Sequence, residues 1–319
     1  LQCVFMRVLI TGGDGFIGQY LALSLLNRGD YVHILDNHVT SKPTLSHENI
    51  SRKVGDVCDI FDLISEGEGP DVIVHLASVA IPKLYMKEPD FVIRPNVIGT
   101  NEVCKLAEKY KSRVIFASTS EVYGSTIDNS KLGTSLSEDS HSHSSLLSPR
   151  TPYSVSKKMG EEIVRSFARK GNSGCSIRFF NVVGPNMDHS VQGYGRVIPN
   201  FCDSIVQNKP LTIYGDGQQT RCFLWINDAV SALLKLIDFD NELPTVINIG
   251  HSQQTSILNL AHLFNEISGT QNAIVFTEKL PDEPKHRRPN ISLARSILDW
   301  KPTMELHEIV STILSEVQR

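Results

Sequence analysis

The chain has 319 residues, 40% of them hydrophobic and 21% charged, with a formal net charge of −4. That length allows one large domain or two moderate ones with a real core, and the composition excludes wholesale disorder. The slightly acidic balance argues against a partner held by bulk positive charge, whether nucleic acid or membrane surface, and no apolar run nears the ~20 residues of a membrane span.

Val8–Thr11 is a short apolar run, followed by glycines and a helical stretch, Ile17–Asn27, that Gly29 ends. Tyr31–Leu35 reads as a second strand. Val72–Leu76 and Val114–Ala117 read as buried strands with a helical pattern over Asn96–Lys109 between them. A helix is predicted over Pro152–Lys170, and a strand, Cys175–Phe179, after it. This alternation predicts an α/β fold, a doubly wound parallel sheet over residues 1–180 with helices on both faces. Ser125–Ser148 is rich in Ser, Asp and His and reads as a long surface loop of the kind that forms lids, with His141 and His143 solvated. After Asn181 glycine, proline and loop signals become denser. Residues 181–319 are therefore expected to form mainly a smaller α/β substrate-binding domain, with a segment near 216–245 returning to the first. Six scattered cysteines contain no CxxC pair, so no metal set or disulfide framework is expected and reduced thiols in the cytoplasm are the plain reading. Residues Leu1–Phe5 lack the apolar region of a secretory leader, and Met6 stands directly before the first strand.

Gly12, Gly15 and Gly18 punctuate the turn between the first strand and its helix. The first permits the tight turn, the second lets backbone approach a pyrophosphate, and the third packs helix on strand. Phe16 and Ile17 open the helix, whose free N–H groups face the phosphates. Asp36, followed by Asn37, ends the second strand about 20 residues on, where a carboxylate accepts ribose hydroxyls and repels a 2′-phosphate. The turn alone has many structural uses; with Asp36 it points to NAD.

Tyr153 and Lys157 are four residues apart in a predicted helix and share one face. An ammonium near a phenol lowers its pKa, so the pair is expected to take the proton of an alcohol as hydride leaves the carbon. Ser118, Thr119, Ser120 and Glu121 follow a strand, at the end that faces the ligand crevice of a parallel sheet. A hydroxyl there shares the substrate proton, and Glu121 adds a second acid/base beyond simple oxidation.

These residues resemble the extended short-chain dehydrogenase/reductase superfamily, which acts on nucleotide sugars. The resemblance rests on Gly12–Gly18, Asp36, Gly55-Asp56-Val57, His75-Leu76-Ala77-Ser78, Asn96, Thr119–Gly124, Tyr153/Lys157 and Phe180-Asn181 with Gly184-Pro185. It implies that Asp56 and Val57 hold adenine, and that Leu76, Ala77, Ser78 and Asn96 belong to the cofactor site. Tyr153 is then the base, and Lys157 anchors the nicotinamide ribose. The helices containing Asn96–Lys109 and Pro152–Lys170 are implied to build a homodimer. Within the superfamily the chain looks most like the UDP-glucuronate decarboxylases, through Pro82, Tyr85, Thr119–Gly124, Gly195-Arg196-Val197, Thr220-Arg221-Cys222-Phe223 and Asp282–Ile291. Pro82, Tyr85, Thr119, Asn181, Arg196, Val197, Arg221 and Arg287 are the substrate residues this implies, with Thr119, Glu121, Tyr153, Lys157 and Arg221 catalytic. Tyr153-Ser154-Val155-Ser156-Lys157 reads as in the bacterial decarboxylase that makes a 4-keto pentose.

The implied reaction is oxidation at C4 of a UDP-sugar with NAD, followed by decarboxylation of UDP-glucuronate. A nucleotide-hexose dehydratase and a C4-epimerase begin with the same oxidation and stay open at this point. A regulator that keeps the fold and lacks catalysis would bind NAD without turnover.

Overall fold

The computed structural model describes residues 5–64, 67, 69–124, 134–141, 148, 150–187, 197–278 and 283–317. Seven parallel strands form its centre: β1 (Arg7–Thr11), β2 (Tyr31–Asp36), β3 (Ile50–Val54), β4 (Val72–His75), β5 (Arg113–Thr119), β6 (Gly174–Phe179) and β7 (Val246–Ile249). They lie in the order β7-β6-β5-β4-β1-β2-β3, so the winding reverses between β1 and β4. At such a reversal the crossovers leave on opposite faces, and a crevice opens beyond the carboxyl ends of the strands.

Side chains alternate across this sheet. Val8, Ile10, Val72, Val74 and Ile115 enter one core; Leu9, Ile73, Val114 and Phe116 enter the other. Strands buried on both faces read as continuous apolar runs, which makes β1, β4 and β5 plain in the sequence. Two strands lack that signal. β3 is an edge strand, Ile-Ser-Arg-Lys-Val, largely open to solvent, and β7 stands alone among loop residues.

Helices α1 (Phe16–Asn27), α2 (Thr100–Tyr110), α3 (Thr151–Arg169), α4 (Val197–Val206) and α5 (Ile226–Ile237) do most of the covering. Leu21 and Leu25 of α1 share a core with Ala229 and Leu233 of α5 on one face. Val103 and Leu106 of α2 meet Val164 and Phe167 of α3 on the other. Just before α2 the helix widens into a π turn over Arg94–Gly99. Pro95 has no N–H to give, and the Thr100 hydroxyl donates to the Asn96 carbonyl at 2.6 Å. Arg113, the first residue of β5, donates to the carbonyls of Leu236, Ile237 and Phe239 at 2.9, 2.7 and 2.6 Å. It thereby satisfies acceptors left open where α5 ends.

Beyond Phe179, three short strand pairs are recorded: Val182–Val183 with Leu224–Trp225, Thr220–Arg221 with Thr255–Ser256, and Leu211–Tyr214 with Ile274–Thr277. The stretch expected as a free surface loop is partly tied down. Leu136 is buried against Val122, Tyr123 and Phe180, and exchanges backbone hydrogen bonds with Arg288 and Asn290 at 2.8 Å each. Leucines scattered irregularly among Ser, Asp and His give no periodicity, so the sequence hides this contact. His141 is exposed, and His143 lies outside the described residues. No helix among the described residues is long and apolar enough to cross a membrane.

Candidate active site

A cavity of about 1370 Å³ follows the carboxyl edge of the sheet. Gly12, Gly15, Phe16, Ile17, Gly18, Asp36, Asn37, Asp56, Val57, Leu76, Ala77 and Ser78 line it. So do Pro82, Tyr85, Thr119, Glu121, Tyr153, Lys157, Asn181, Val197 and Arg221. Asn96 does not; it is fully buried and donates to the Ser156 hydroxyl at 3.0 Å. Arg287 does not line it either, being buried behind Glu121. Arg196 lies outside the described residues.

The first group of residues fits a dinucleotide. Gly12 has φ +69°, and a Cβ there would sit 2.7 Å from the Ala77 nitrogen. At Gly15 an added Cβ would meet only the Gly12 carbonyl oxygen, at 3.1 Å, so the turn is open on its cavity side. The Ser78 hydroxyl lines the cavity, is buried, and has no hydrogen-bond partner among the described residues. A buried polar atom in that condition calls for a ligand partner. Gly12→Ala is expected to destabilise the fold by about 1–3 kcal/mol, through positive φ and contact with backbone, and to weaken dinucleotide binding. Thermal melting and NAD titration check both effects.

The reacting end is built from β5 and α3. The Thr119 side chain hydrogen-bonds the Tyr153 phenol and accepts from the Glu121 N–H at 3.2 Å. Tyr153 stacks on Tyr85, with ring centroids 5.0 Å apart and planes 12° apart. The Lys157 ammonium donates to the Ala117 carbonyl at 2.7 Å and lies over the Phe116 ring. Burial pushes the Tyr153 phenol up to about 12, with Glu121 adding to the rise and Thr119 and Arg150 opposing it. Burial also lowers Lys157 to about 7, against the pull of Glu161. The expected lowering of the tyrosine is therefore reversed in the protein alone. Lys157 is spent on a backbone carbonyl, and desolvation of the phenol outweighs the charges near it.

Glu121 sits among guanidinium groups. Arg150 Nη2 lies 2.6 Å from one of its oxygens, and Arg287 pairs with the other. Burial works to raise its pKa, but Arg150, Arg287 and Arg221 together hold it down at about 2. Arg221 donates to Glu283 at 2.8 Å and to the carbonyls of Thr220 and Pro284. Among the described residues, three guanidiniums thus face two carboxylates, Glu121 and Glu283, an excess of one positive charge at this end of the cavity. The sequence reading missed Arg150 and Glu283. Arg150 stands three residues before Tyr153, which was the available signal; Glu283 lies within the stretch already compared with the decarboxylases, four residues before Arg287.

His75 is fully buried between the Thr11 hydroxyl at 2.7 Å and the Pro95 carbonyl at 3.2 Å. Burial, with Lys157 nearby, lowers it to about 3. It is a neutral brace under the crevice and does not titrate near neutrality.

A model of the NAD dependent epimerase/dehydratase family matches residues 8–250. UDP-glucuronic acid decarboxylase 1 of Xenopus tropicalis is 34% identical over 308 residues, which are 95% of this chain and 70% of that protein. The UDP-glucose 4-epimerase of Thermotoga maritima, solved with UDP-glucose, superposes with a TM-score of 0.86 at 26% identity, covering 97% of this chain and 98% of that one. The UDP-glucuronic acid 4-epimerase of Bacillus cereus, solved with UDP-glucuronic acid and NAD, gives 0.83 at 25% identity, covering 98% and 99%.

Proposed function

The chain belongs to the NAD-dependent epimerase/dehydratase family and is an NAD-dependent nucleotide-sugar enzyme, and from that premise we propose that it oxidises C4 of UDP-glucuronate and then decarboxylates the sugar. The observation that carries the finer reading is the excess of guanidinium charge beside Tyr153, which suits a sugar bearing a carboxylate. The similarity to decarboxylases over 95% of the chain supports it.

NAD, when bound, supplies the acceptor for the C4 hydride. Tyr153 takes the C4 hydroxyl proton, with Thr119 sharing it through their hydrogen bond. The ketone so formed is β to the C6 carboxylate. The C5–C6 bond breaks, CO₂ leaves, and the electron pair passes into the C4 carbonyl as an enolate. Thr119 and Tyr153 hydrogen-bond that oxygen where its charge develops. Arg221 holds the anionic substrate, and Arg287 holds Glu121 from behind. Glu121 is ionised near neutrality, so it stores no proton; it orients a water molecule that gives C5 its proton.

The protein works as a homodimer in this proposal. Val155 and Met159 on α3 and Ile98 before α2 are exposed apolar side chains on the helices the interface would use.

Incubation with NAD and a panel of nucleotide sugars, read by mass spectrometry, tests the reaction. Loss of carbon dioxide from UDP-glucuronate is the expected result. Loss of water from a neutral hexose would make the protein a dehydratase, and an isomer of unchanged mass would make it an epimerase.

A further inference from the structure

Asp14 stands inside the glycine turn, where the N-terminus of α1 is set to receive phosphate. A carboxylate works against that task, yet this one is 1% exposed and fully engaged. Arg52 of β3 grips it with Nε at 3.1 and 2.9 Å from the two oxygens and Nη2 at 3.0 Å. His38 Nε2 lies 2.9 Å from it. The same residues surround Asp36. The Asp14 N–H donates to one Asp36 oxygen at 3.0 Å, and the His38 N–H donates to the other at 2.9 Å. Asp14, His38 and Asp36 all line the cavity. Two basic side chains beside the ribose carboxylate are thus both turned onto Asp14.

We propose that Asp14 is a second specificity-determining residue, which excludes the 2′-phosphorylated dinucleotide by sequestering Arg52 and His38. A 2′-phosphate beside Asp36 needs cations to offset that carboxylate, and a guanidinium fork is the group best shaped for it. Here the fork is occupied. Asp14 and Asp36 against Arg52 leave one net negative charge among these three groups. Lys42 also lines the cavity; it is exposed, where water screens it. Removing the Asp14 charge releases Arg52 and His38 within a residue's reach of Asp36. Asp36 still repels the phosphate, so the two carboxylates act by different routes, one by direct contact and one by denying a partner.

The test is calorimetric titration of the full chain, stripped of bound dinucleotide, with NAD⁺, NADP⁺ and adenosine 2′-monophosphate. Asp14→Asn and Asp14→Ala are expected to bind NADP⁺ and adenosine 2′-monophosphate at least about tenfold more tightly than the native protein, the size of one charge-assisted contact. NAD⁺ affinity should not rise in parallel. Asp14→Ala/Arg52→Met removes both members of the ion pair, leaves no unpaired charge, and should lose the share of the gain that Arg52 supplies. Unchanged NADP⁺ affinity in Asp14→Asn with a native-like melting temperature overturns the proposal. So does a gain that survives undiminished in the double variant.

Discussion

Tyr153→Phe is expected to lower turnover by about 10²–10⁴-fold, the usual contribution of a positioned acid/base, while NAD binding is retained. The substitution removes one oxygen and keeps the ring that stacks on Tyr85, so the packing around Lys157 and Thr119 should survive. What is lost is the group that receives the C4 proton. In the protein alone that phenol sits at about 12 and Lys157 at about 7, so neither is yet tuned for its task. A positive charge arriving in the cavity favours phenolate, which links activation of the base to occupancy of the site. Steady-state rates beside calorimetric NAD binding check the prediction. Near-native turnover with intact binding would remove Tyr153 from the mechanism.

Glu121→Gln is expected to stop the reaction one step later. C4 oxidation needs Thr119, Tyr153 and Lys157; the chemistry at C5 and C6 needs a further group, and Glu121 is held beside them by Arg150 and Arg287. Glutamine keeps the shape and loses the charge, which raises the local positive excess. The anionic sugar should therefore bind no more weakly, while formation of the protonated pentose falls by about 10²–10⁴-fold. The variant should accumulate bound NADH, seen in the absorbance of the reduced nicotinamide. Formation of the pentose at the native rate would make the carboxylate a bystander. A raised KM with unchanged kcat would mean that it only positions substrate.

The glycine turn, Asp36 and the Tyr153/Lys157 pair were legible because each is a local pattern whose chemistry needs only neighbours in sequence. Strands β1, β4 and β5 were legible because burial on both faces leaves uninterrupted apolar residues. What stayed hidden depends on distant partners. Arg287 reads as a substrate cation until its side chain is seen behind Glu121. Asn96 reads as a cofactor residue, but its amide is used beneath α3. Asp14 occupies a position where the motif tolerates any residue, and its meaning lies in Arg52, brought to it by an edge strand too polar to recognise. The direction of the Tyr153 shift was misread for the same reason. Spacing places an ammonium near a phenol, and only the fold says that the ammonium is bound to Ala117 and that both groups are dry.

The clamp that Arg113 makes on the end of α5 fixes more than a helix terminus. β5 carries Ser118 and Thr119 at its far end, with Ser120 next in the chain, and successive side chains of a strand point to opposite faces. Ser118 reaches back to Glu161, while Thr119 meets Tyr153. If the strand slid by one residue, a serine would stand where the threonine does, and nothing in local hydrogen bonding would object. Three carbonyls gripping Arg113 at the opposite end index the strand against that slip. The loops at the crevice can then diverge toward new sugars without losing count of which hydroxyl faces the tyrosine.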